Sequence, residues 1–260
     1  MHKNIAGTLD RADELYKELM TEYDRSLLAQ SVSDRAVQLT HEVAGALRSV
    51  LDRTARRYWD QHIAPSLSET DRDNAKIYFP ITASQHGFDS MMGKWKWKTV
   101  RADHEAIYIF LLALQPFINQ ANKWLAVVDD LAIKSKHIDL VPQTRTERRE
   151  TTVTGEHGDR VSWGGNRLAF GPGGSVGLGP GGRISFGSGG VQFSGNVSAV
   201  GAPIDPATQR TVPTPGVMEE IVTWVSFLIA AHNVNATDFC KRACEKTRQI
   251  ATEMSDQFGL

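Results

Sequence analysis

The chain of 260 residues has no long apolar run and almost no net charge, which is -1 at pH 7. A nearly neutral protein is not attracted as a whole to nucleic acid or acidic lipid, so either would need a local patch. The longest apolar runs, 107–114 and 222–231, are far shorter than the ~20 residues that span a membrane. We therefore expect no membrane association. The N-terminus has no secretory apolar core, and we expect a cytoplasmic protein.

Cysteine is too scarce to predict a disulfide framework. The two cysteines, Cys240 and Cys244, lie four residues apart in a segment with helical periodicity, a spacing near the upper limit for a disulfide. We favour core packing or a reduced thiol pair. His232 could join them as a third metal ligand, but three loosely spaced ligands are weak evidence for a metal. We predict no metal site and no cofactor.

Lysine is absent from residues 138–240, and glycine is concentrated in the same region. Sixteen of the 22 glycines lie between residues 155 and 201. An eight-residue unit, called here the octad, occurs three times in succession, at residues 167–174, 175–182 and 183–190. Each octad joins a four-residue strand with alternating polarity to a glycine-rich turn, which predicts a series of short strands.

Each octad has two large apolar residues on one face of its strand and small or polar residues on the other. These apolar residues are Leu168, Phe170, Val176, Leu178, Ile184 and Phe186. The turn Gly171-Pro-Gly-Gly174 fits type II, with proline second and glycine third. A β-meander is the simplest arrangement, and a β-solenoid with the turns as corners is the alternative. Because short, nearly uncharged strands offer their edges to another chain, we expect a homo-oligomer.

Helical periodicity dominates the rest of the sequence. Apolar residues recur every three or four positions over 8–30 and 33–62, and further helices are predicted over 102–114 and 118–135. A last helical region is predicted from Pro215-Gly216 to about Ser255. Its apolar face needs a partner, and the N-terminal helices are the nearest one. The glycine-rich segment is therefore predicted to be an insertion between helices of one bundle.

The predicted fold class is α+β, an antiparallel helical bundle with a glycine-rich antiparallel β-meander of octapeptide repeats inserted before the C-terminal helix. The predicted bundle covers residues 1–143, and the β insertion covers 144–202. Residues 203–260 are predicted to form a proline-rich connector and a C-terminal helical region that packs on the bundle.

Short motifs in the helical segments resemble a widespread, largely uncharacterised bacterial helical family. They are Gly45-Ala-Leu-Arg-Ser-Val-Leu-Asp52, Phe79-Pro-Ile81, Leu114-Gln-Pro-Phe117 and Lys134-Ser-Lys-His137. The second helix of that family reads like His-Asn-Leu-Arg-Ser-Ala-Leu-Asp-His, and its Arg-x-x-x-x-His is similar to the motif of HEPN ribonucleases. The resemblance implies RNA cleavage, in which histidine moves the 2′-hydroxyl proton while arginine steadies the phosphate.

The chain departs from this motif where the histidine is expected, because that position is Arg53. A catalytic site could still combine Arg48, His41 and His137. The alternative is a polar network in which Arg48, Asp52 and His137 lock the second helix to the fourth. We favour the network and leave catalysis open.

A second candidate for RNA binding is the run Lys94, Trp95, Lys96, Trp97, Lys98, followed by Arg101. Interleaved cations and aromatic rings are typical of platforms for single-stranded nucleic acid. The competing interpretation is an amphipathic strand whose tryptophans pack on the bundle. Asp129 and Asp130 form a carboxylate pair that we expect on a solvated helix surface.

Two functions follow from these patterns. The sequence favours a non-catalytic, self-associating structural or interaction protein whose contact surface is formed by the six apolar octad residues. The alternative is a HEPN-like protein that binds RNA or cleaves it without a metal, using Arg48 and the 94–101 patch. The first leads because the octads are regular and the histidine expected at position 53 is missing.

Overall fold

The computed structural model of the protein describes residues 1–29, 31–96, 103–134, 140–187 and 190–260, apart from the side chain of Trp224. The helices are α1 (Lys3–Ala29), α2 (Asp34–Tyr58), α3 (Glu69–Asp73), α4 (Gln85–Lys94), α5 (Glu105–Ala113), α6 (Lys123–Lys134) and α7 (Ala236–Phe258). The strands are β1 (Gln143–Thr154), β2 (Arg160–Gly164), β3 (Arg167–Phe170), β4 (Val176–Leu178), β5 (Arg183–Gly187), β6 (Gly190–Ser194), β7 (Val197–Ala199), β8 (Ala202–Asp205), β9 (Arg210–Thr211), β10 (Met218–Ile229) and β11 (Val234–Asn235). The predicted α+β class, with antiparallel strands before the C-terminal helix, is confirmed.

The chain divides into two compact units. The helical unit comprises Met1–Arg145 and Phe227–Leu260, and the β unit comprises Thr146–Ser226. None of the helices in the described ranges is long and apolar enough to cross a membrane.

Helix α2 is the central element of the helical unit, since it packs against α1, α6 and α7. It begins after Ser33, whose side chain caps the helix by accepting a hydrogen bond from the backbone N–H of Ala36. Leu39, Leu47 and Leu51 on α2 are fully buried. Each such leucine stabilises the bundle by about 1.5–3 kcal/mol.

The second half of α2 shares a core with α4, α5 and the segment that precedes α4. Trp59 and Trp95 are its largest buried side chains, and the indole N–H of Trp59 donates to the carbonyl of Trp95 at 2.9 Å. This hydrogen bond fixes the end of α4 against the π-helical segment Trp59–Ile63 that continues α2.

The described strands form three sheets with the orders β11-β10-β1-β2-β3, β4-β7-β8-β9 and β5-β6. Antiparallel pairing joins β1 to β2, β2 to β3, β4 to β7, β5 to β6, β7 to β8, β8 to β9 and β10 to β11. A separate apolar core lies within the β unit. Its buried members are Val153, Val161, Trp163, Val191, Phe193, Val197, Ala199 and Ile204. The β unit therefore has a core of its own.

The octads form strands at the predicted positions, but these strands do not pair with one another in the described part of the chain. Strand β3 pairs with β2, β4 with β7, and β5 with β6. The prediction that neighbouring octads pair with each other as a meander is therefore wrong. A type II turn fits the twist of a hairpin poorly, so the turn that ends each of the first two octads leads the chain away from its own strand.

The type II turn is confirmed in the first two octads. Gly174 donates its N–H to the carbonyl of Gly171 at 3.1 Å, and Gly173 has a φ of 68°. Each turn also docks on the backbone of a neighbouring strand segment, because Gly171 donates to Arg160 at 2.7 Å and Gly179 donates to Asn196 at 2.8 Å.

The prediction of a helix that begins near residue 216 is wrong. Residues Met218–Ile229 form β10, and the C-terminal helix begins at Ala236, where the side chain of Asn235 accepts from the N–H of Asp238. The segment 217–229 is rich in β-branched and aromatic residues, which favour a strand over a helix. The predicted connector contains β8 and β9, so the β unit extends to Ser226.

Candidate functional site

Arg48 occupies the centre of a polar network rather than an open cleft. Its Nη1 donates to the carbonyl of Phe79 at 2.9 Å, its Nε lies 3.1 Å from Asp129 Oδ1, and its Nη2 lies 3.4 Å from Asp52 Oδ1. Asp52 in turn accepts the N–H of Phe79 at 2.8 Å. The favoured interpretation, a polar lock between the second predicted helix and the fourth, is borne out for Arg48, which joins α2 to Asp129 on α6. Asp52 belongs to the same network through Arg48 and Phe79.

The network corrects the expectation that the carboxylate pair lies on a solvated surface. Asp129 is an ion-pair partner of Arg48. Asp130 accepts hydrogen bonds from Lys134 at 2.8 Å and His232 at 2.9 Å. Burial raises the pKa of Asp130, but these two hydrogen bonds outweigh burial, and the pKa lies below its ordinary value.

His41 is a buried cross-link. Its side chain is 1% exposed, its Nε2 accepts the backbone N–H of Val141 at 3.0 Å, and its Nδ1 lies 2.9 Å from the carbonyl of Leu131. Since the backbone N–H of Val141 can only donate, Nε2 of His41 is unprotonated and its Nδ1 carries the proton. Both nitrogens are therefore occupied by backbone groups, and neither is free to move a substrate proton.

The predicted catalytic group of Arg48, His41 and His137 is not assembled by the described residues. Arg48 and His41 are two turns apart on α2, and each binds its own partners on and around α6. His137 lies outside the described residues. The geometry gives Arg48 and His41 structural roles.

The predicted nucleic-acid platform is wrong for Trp95. This side chain is fully buried, and its indole N–H donates to the carbonyl of Tyr78 at 3.1 Å. Lys94 ends α4, and Lys96 pairs with Asp71 at 3.5 Å. The packing interpretation is confirmed for Trp95, which cannot stack on a base. The remaining predicted members, Trp97, Lys98 and Arg101, lie outside the described residues.

The cysteines are buried free thiols on α7. Burial raises the pKa of Cys240 well above its ordinary value and raises the pKa of Cys244 to about 12. Both side chains therefore stay protonated and unreactive at neutral pH. His232 contacts Asp130 instead, and the described residues contain no metal-binding group of three or more histidine, cysteine or acidic side chains.

The six apolar octad residues divide into two sets. Leu168, Val176 and Ile184, the first apolar residue of each octad, pack against the core of the β unit. The second apolar residue of each octad is more than half exposed, at 55% for Phe170, 57% for Leu178 and 57% for Phe186. Each exposed residue lies directly before a glycine, which follows the strand in β3 and β4 and ends it in β5. The octads thus present one large apolar side chain each to solvent, and these three residues are called here the octad stripe.

The strands that carry the octad stripe lie at the edges of their sheets. Strand β3 ends the five-stranded sheet, β4 ends the four-stranded sheet, and β5 has β6 as its neighbour in a two-stranded sheet. Each octad strand consequently has one hydrogen-bonded neighbour in the described topology. An edge strand presents backbone donors and acceptors on its outer side to which a further strand can bond.

No family model, curated protein or solved structure matches the chain. The resemblance to the HEPN-related helical family stays a prediction, and the function has to be argued from the residues of the protein itself.

Proposed function

We propose that the protein is a non-catalytic structural or interaction protein that self-associates through its β unit. The octad stripe carries this proposal, because one large apolar side chain is exposed at the same position of three successive repeats. Single exposed apolar residues are normal on protein surfaces. The regularity of this set is what supports the proposal, since the same position is exposed in each of three successive repeats.

A second copy of the chain is the partner that the repeat favours. The three octad strands share one pattern of apolar positions, and β3 and β4 both lie at sheet edges. An identical chain supplies strands of the same length and alternation, so apolar side chains and backbone edges can be matched together.

The exposed area predicts a weak association. Burying the exposed half of one stripe residue stabilises a contact by about 1 kcal/mol, and a symmetric dimer would bury about six such side chains. The sum of about 6 kcal/mol is near the lower end of the association cost of about 4–15 kcal/mol. Hydrogen bonds between edge strands would add about 1 kcal/mol each. At the lowest association cost, burial leaves about 2 kcal/mol, and about four edge hydrogen bonds would raise the net to about 6 kcal/mol. We therefore expect a dissociation constant of about 40 µM or weaker.

A pair of triple variants tests the proposal. Phe170→Ser, Leu178→Ser and Phe186→Ser together remove the octad stripe. Leu28→Ser, Ile109→Ser and Ile133→Ser remove three exposed apolar residues of the helical unit and serve as the matched control. Sedimentation equilibrium over a range of concentrations should show association of the parent and of the control but not of the stripe variant. Equal association of both variants would refute the proposal.

The HEPN-like alternative gains no support from the described residues. Arg48 is held by Asp52, Asp129 and the carbonyl of Phe79, and His41 has no free ring nitrogen. RNA cleavage by the purified protein, lost in an Arg48→Lys variant that melts at the parent's temperature, would restore that alternative.

Cytoplasmic location is proposed as well. Two cysteines that are free and buried on one helix are in keeping with a reducing compartment, where disulfides are rare. Detection of the native protein in an oxidising compartment, such as a periplasmic extract, would contradict this location.

A further inference from the structure

A groove on the helical unit is lined by three arginines from the last two turns of α2. Arg53, Arg56 and Arg57 are spaced by three and four residues, so they lie on one side of the helix. The groove has a volume of ≈ 470 Å³, and Ile77 and Tyr78 form part of its wall. It is called here the arginine groove, and its size is typical of sites for small molecules.

The charges in the arginine groove are not balanced. Arg56 pairs with Asp60 at 2.8 Å, and its guanidinium lies 4.8 Å from the centre of the Trp59 ring. Asp52, the other carboxylate of the groove, is bound to Arg48 and to the N–H of Phe79. The two carboxylates of the groove wall are therefore already engaged.

Arg53 and Arg57 have no carboxylate partner in the described part of the chain. Arg53 donates to two neutral oxygens, Thr8 Oγ1 at 2.8 Å and the carbonyl of Asn4 at 3.3 Å. The Nε of Arg57 is buried and has no acceptor. The Nε itself is too buried to meet a ligand, but Arg57 lines the groove and its guanidinium is not neutralised by a carboxylate among the described residues. An anion in the groove would supply the charge partner that this guanidinium lacks.

The guanidinium groups of Arg53 and Arg57 indicate that the ligand carries an anionic group. Two guanidinium groups spaced four residues apart on a helix can hold several oxygens of one anion, and their planar forks match phosphate in pairs of hydrogen bonds. Tyr78 lies beside them with half of its surface exposed. Its carbonyl accepts the indole N–H of Trp95, which holds this part of the wall in place. An aromatic ring held next to a phosphate site can stack on the flat ring of the same ligand.

We propose that the arginine groove binds a mononucleotide, with its phosphate on Arg53 and Arg57 and its base against Tyr78. This site is separate from the octad stripe, so neither proposal depends on the other.

Isothermal titration calorimetry of the full chain tests the assignment, with AMP, adenosine and inorganic phosphate as probes. AMP should bind, and adenosine and phosphate should each bind at least about tenfold more weakly, because each makes only part of the contacts. Arg57→Gln and Arg53→Gln should each weaken AMP binding by about tenfold or more. Arg57→Lys keeps the charge without the planar fork and should give an intermediate loss.

Controls separate binding from folding. Arg25→Gln removes an exposed arginine that pairs with Glu22 on α1 and should leave AMP binding unchanged. Thermal melting of each variant checks the fold, and Arg57→Lys serves as the test if Arg57→Gln does not fold. Raising the salt concentration should weaken AMP binding, because partly exposed charges are screened.

Several results would overturn the proposal. One is the absence of AMP binding at about 1 mM, and another is equal binding of AMP to the parent and to Arg57→Gln. If phosphate bound as tightly as AMP, the base would add no affinity, and the proposed contact between the base and Tyr78 would be wrong. Tighter binding of a single-stranded RNA than of AMP would show that the groove binds a nucleic-acid strand and not a mononucleotide.

Discussion

The glycines of the octad turns should differ sharply in their tolerance of alanine. A Cβ at Gly174 would lie 2.0 Å from the carbonyl oxygen of Arg160, which is backbone and cannot swing away. Overpacking of this kind costs about 1–3 kcal/mol, and loss of the docking hydrogen bond from Gly171 adds about 1 kcal/mol. Gly174→Ala should therefore lower the free energy of unfolding of the β unit by about 2–4 kcal/mol.

Two other glycines of the octads provide graded controls. A Cβ at Gly181 meets open space, but the φ of 73° disfavours any residue with a side chain, so Gly181→Ala should cost about 1–2 kcal/mol. Gly187 has open space and no positive φ, and Gly187→Ala should be neutral or stabilising by up to about 1 kcal/mol.

Hydrogen exchange followed by mass spectrometry measures the effect where it is expected. Peptides from residues 160–200 report the opening of the β unit, while peptides from α2 report the helical unit. Faster exchange confined to the β unit, in the order Gly174→Ala, Gly181→Ala, Gly187→Ala, is the expected result. Equal exchange in all three variants would refute the docking of the first turn on Arg160.

Three further predictions concern the helical unit. His41→Ala should lower the free energy of unfolding by about 2–4 kcal/mol, because it leaves two backbone partners unpaired and a cavity; denaturant unfolding with no shift of the midpoint would contradict the cross-link. The lowered pKa of Asp130 contributes stability that is present above the unfolded pKa of about 3.9 and is lost as pH falls through the folded pKa. Melting temperatures of Asp130→Asn should therefore fall less between about pH 5 and 3 than those of the parent, and parallel curves would argue against this contribution. Cys240 and Cys244 should react with a thiol reagent only after unfolding, and rapid labelling of the folded protein at pH 8 would contradict their raised pKa values.

Local patterns were sufficient to predict the elements that pack through one regular face. The three-and-four spacing of apolar residues predicted α1 and α2, and their buried residues follow that spacing. The alternation within each octad predicted β3, β4 and β5 at their observed positions. Proline and glycine in the turn predicted its type, because type II geometry depends on those two residues alone.

Long-range pairing could not be predicted in the same way. Strands β4 and β7 pair around the β5–β6 hairpin, and the alternation in each strand gives no information on its neighbour. Residues 217–229 contain apolar positions with helical spacing, yet their β-branched and aromatic side chains form a strand.

The candidate site residues show the same limit. Arg48 and Asp52 were predicted to share a polar network, and they do. Asp129, which was expected on a solvated surface, lies 77 positions after Asp52, and no local signal links it to Arg48. Trp95 lies in a run of lysines and tryptophans that is typical of a stacking platform, but the side chain is fully buried and packs in the core. The arginine groove was not predicted either, because it combines α2 with the segment around Tyr78.

Sedimentation equilibrium of the parent chain against the stripe variant tests the central claim most directly. The parent should show a mass that rises with concentration above the monomer mass of 28.7 kDa, while the stripe variant should stay at that mass. A parent that remains at 28.7 kDa at every concentration, or a stripe variant that associates as the parent does, would contradict self-association through the octads.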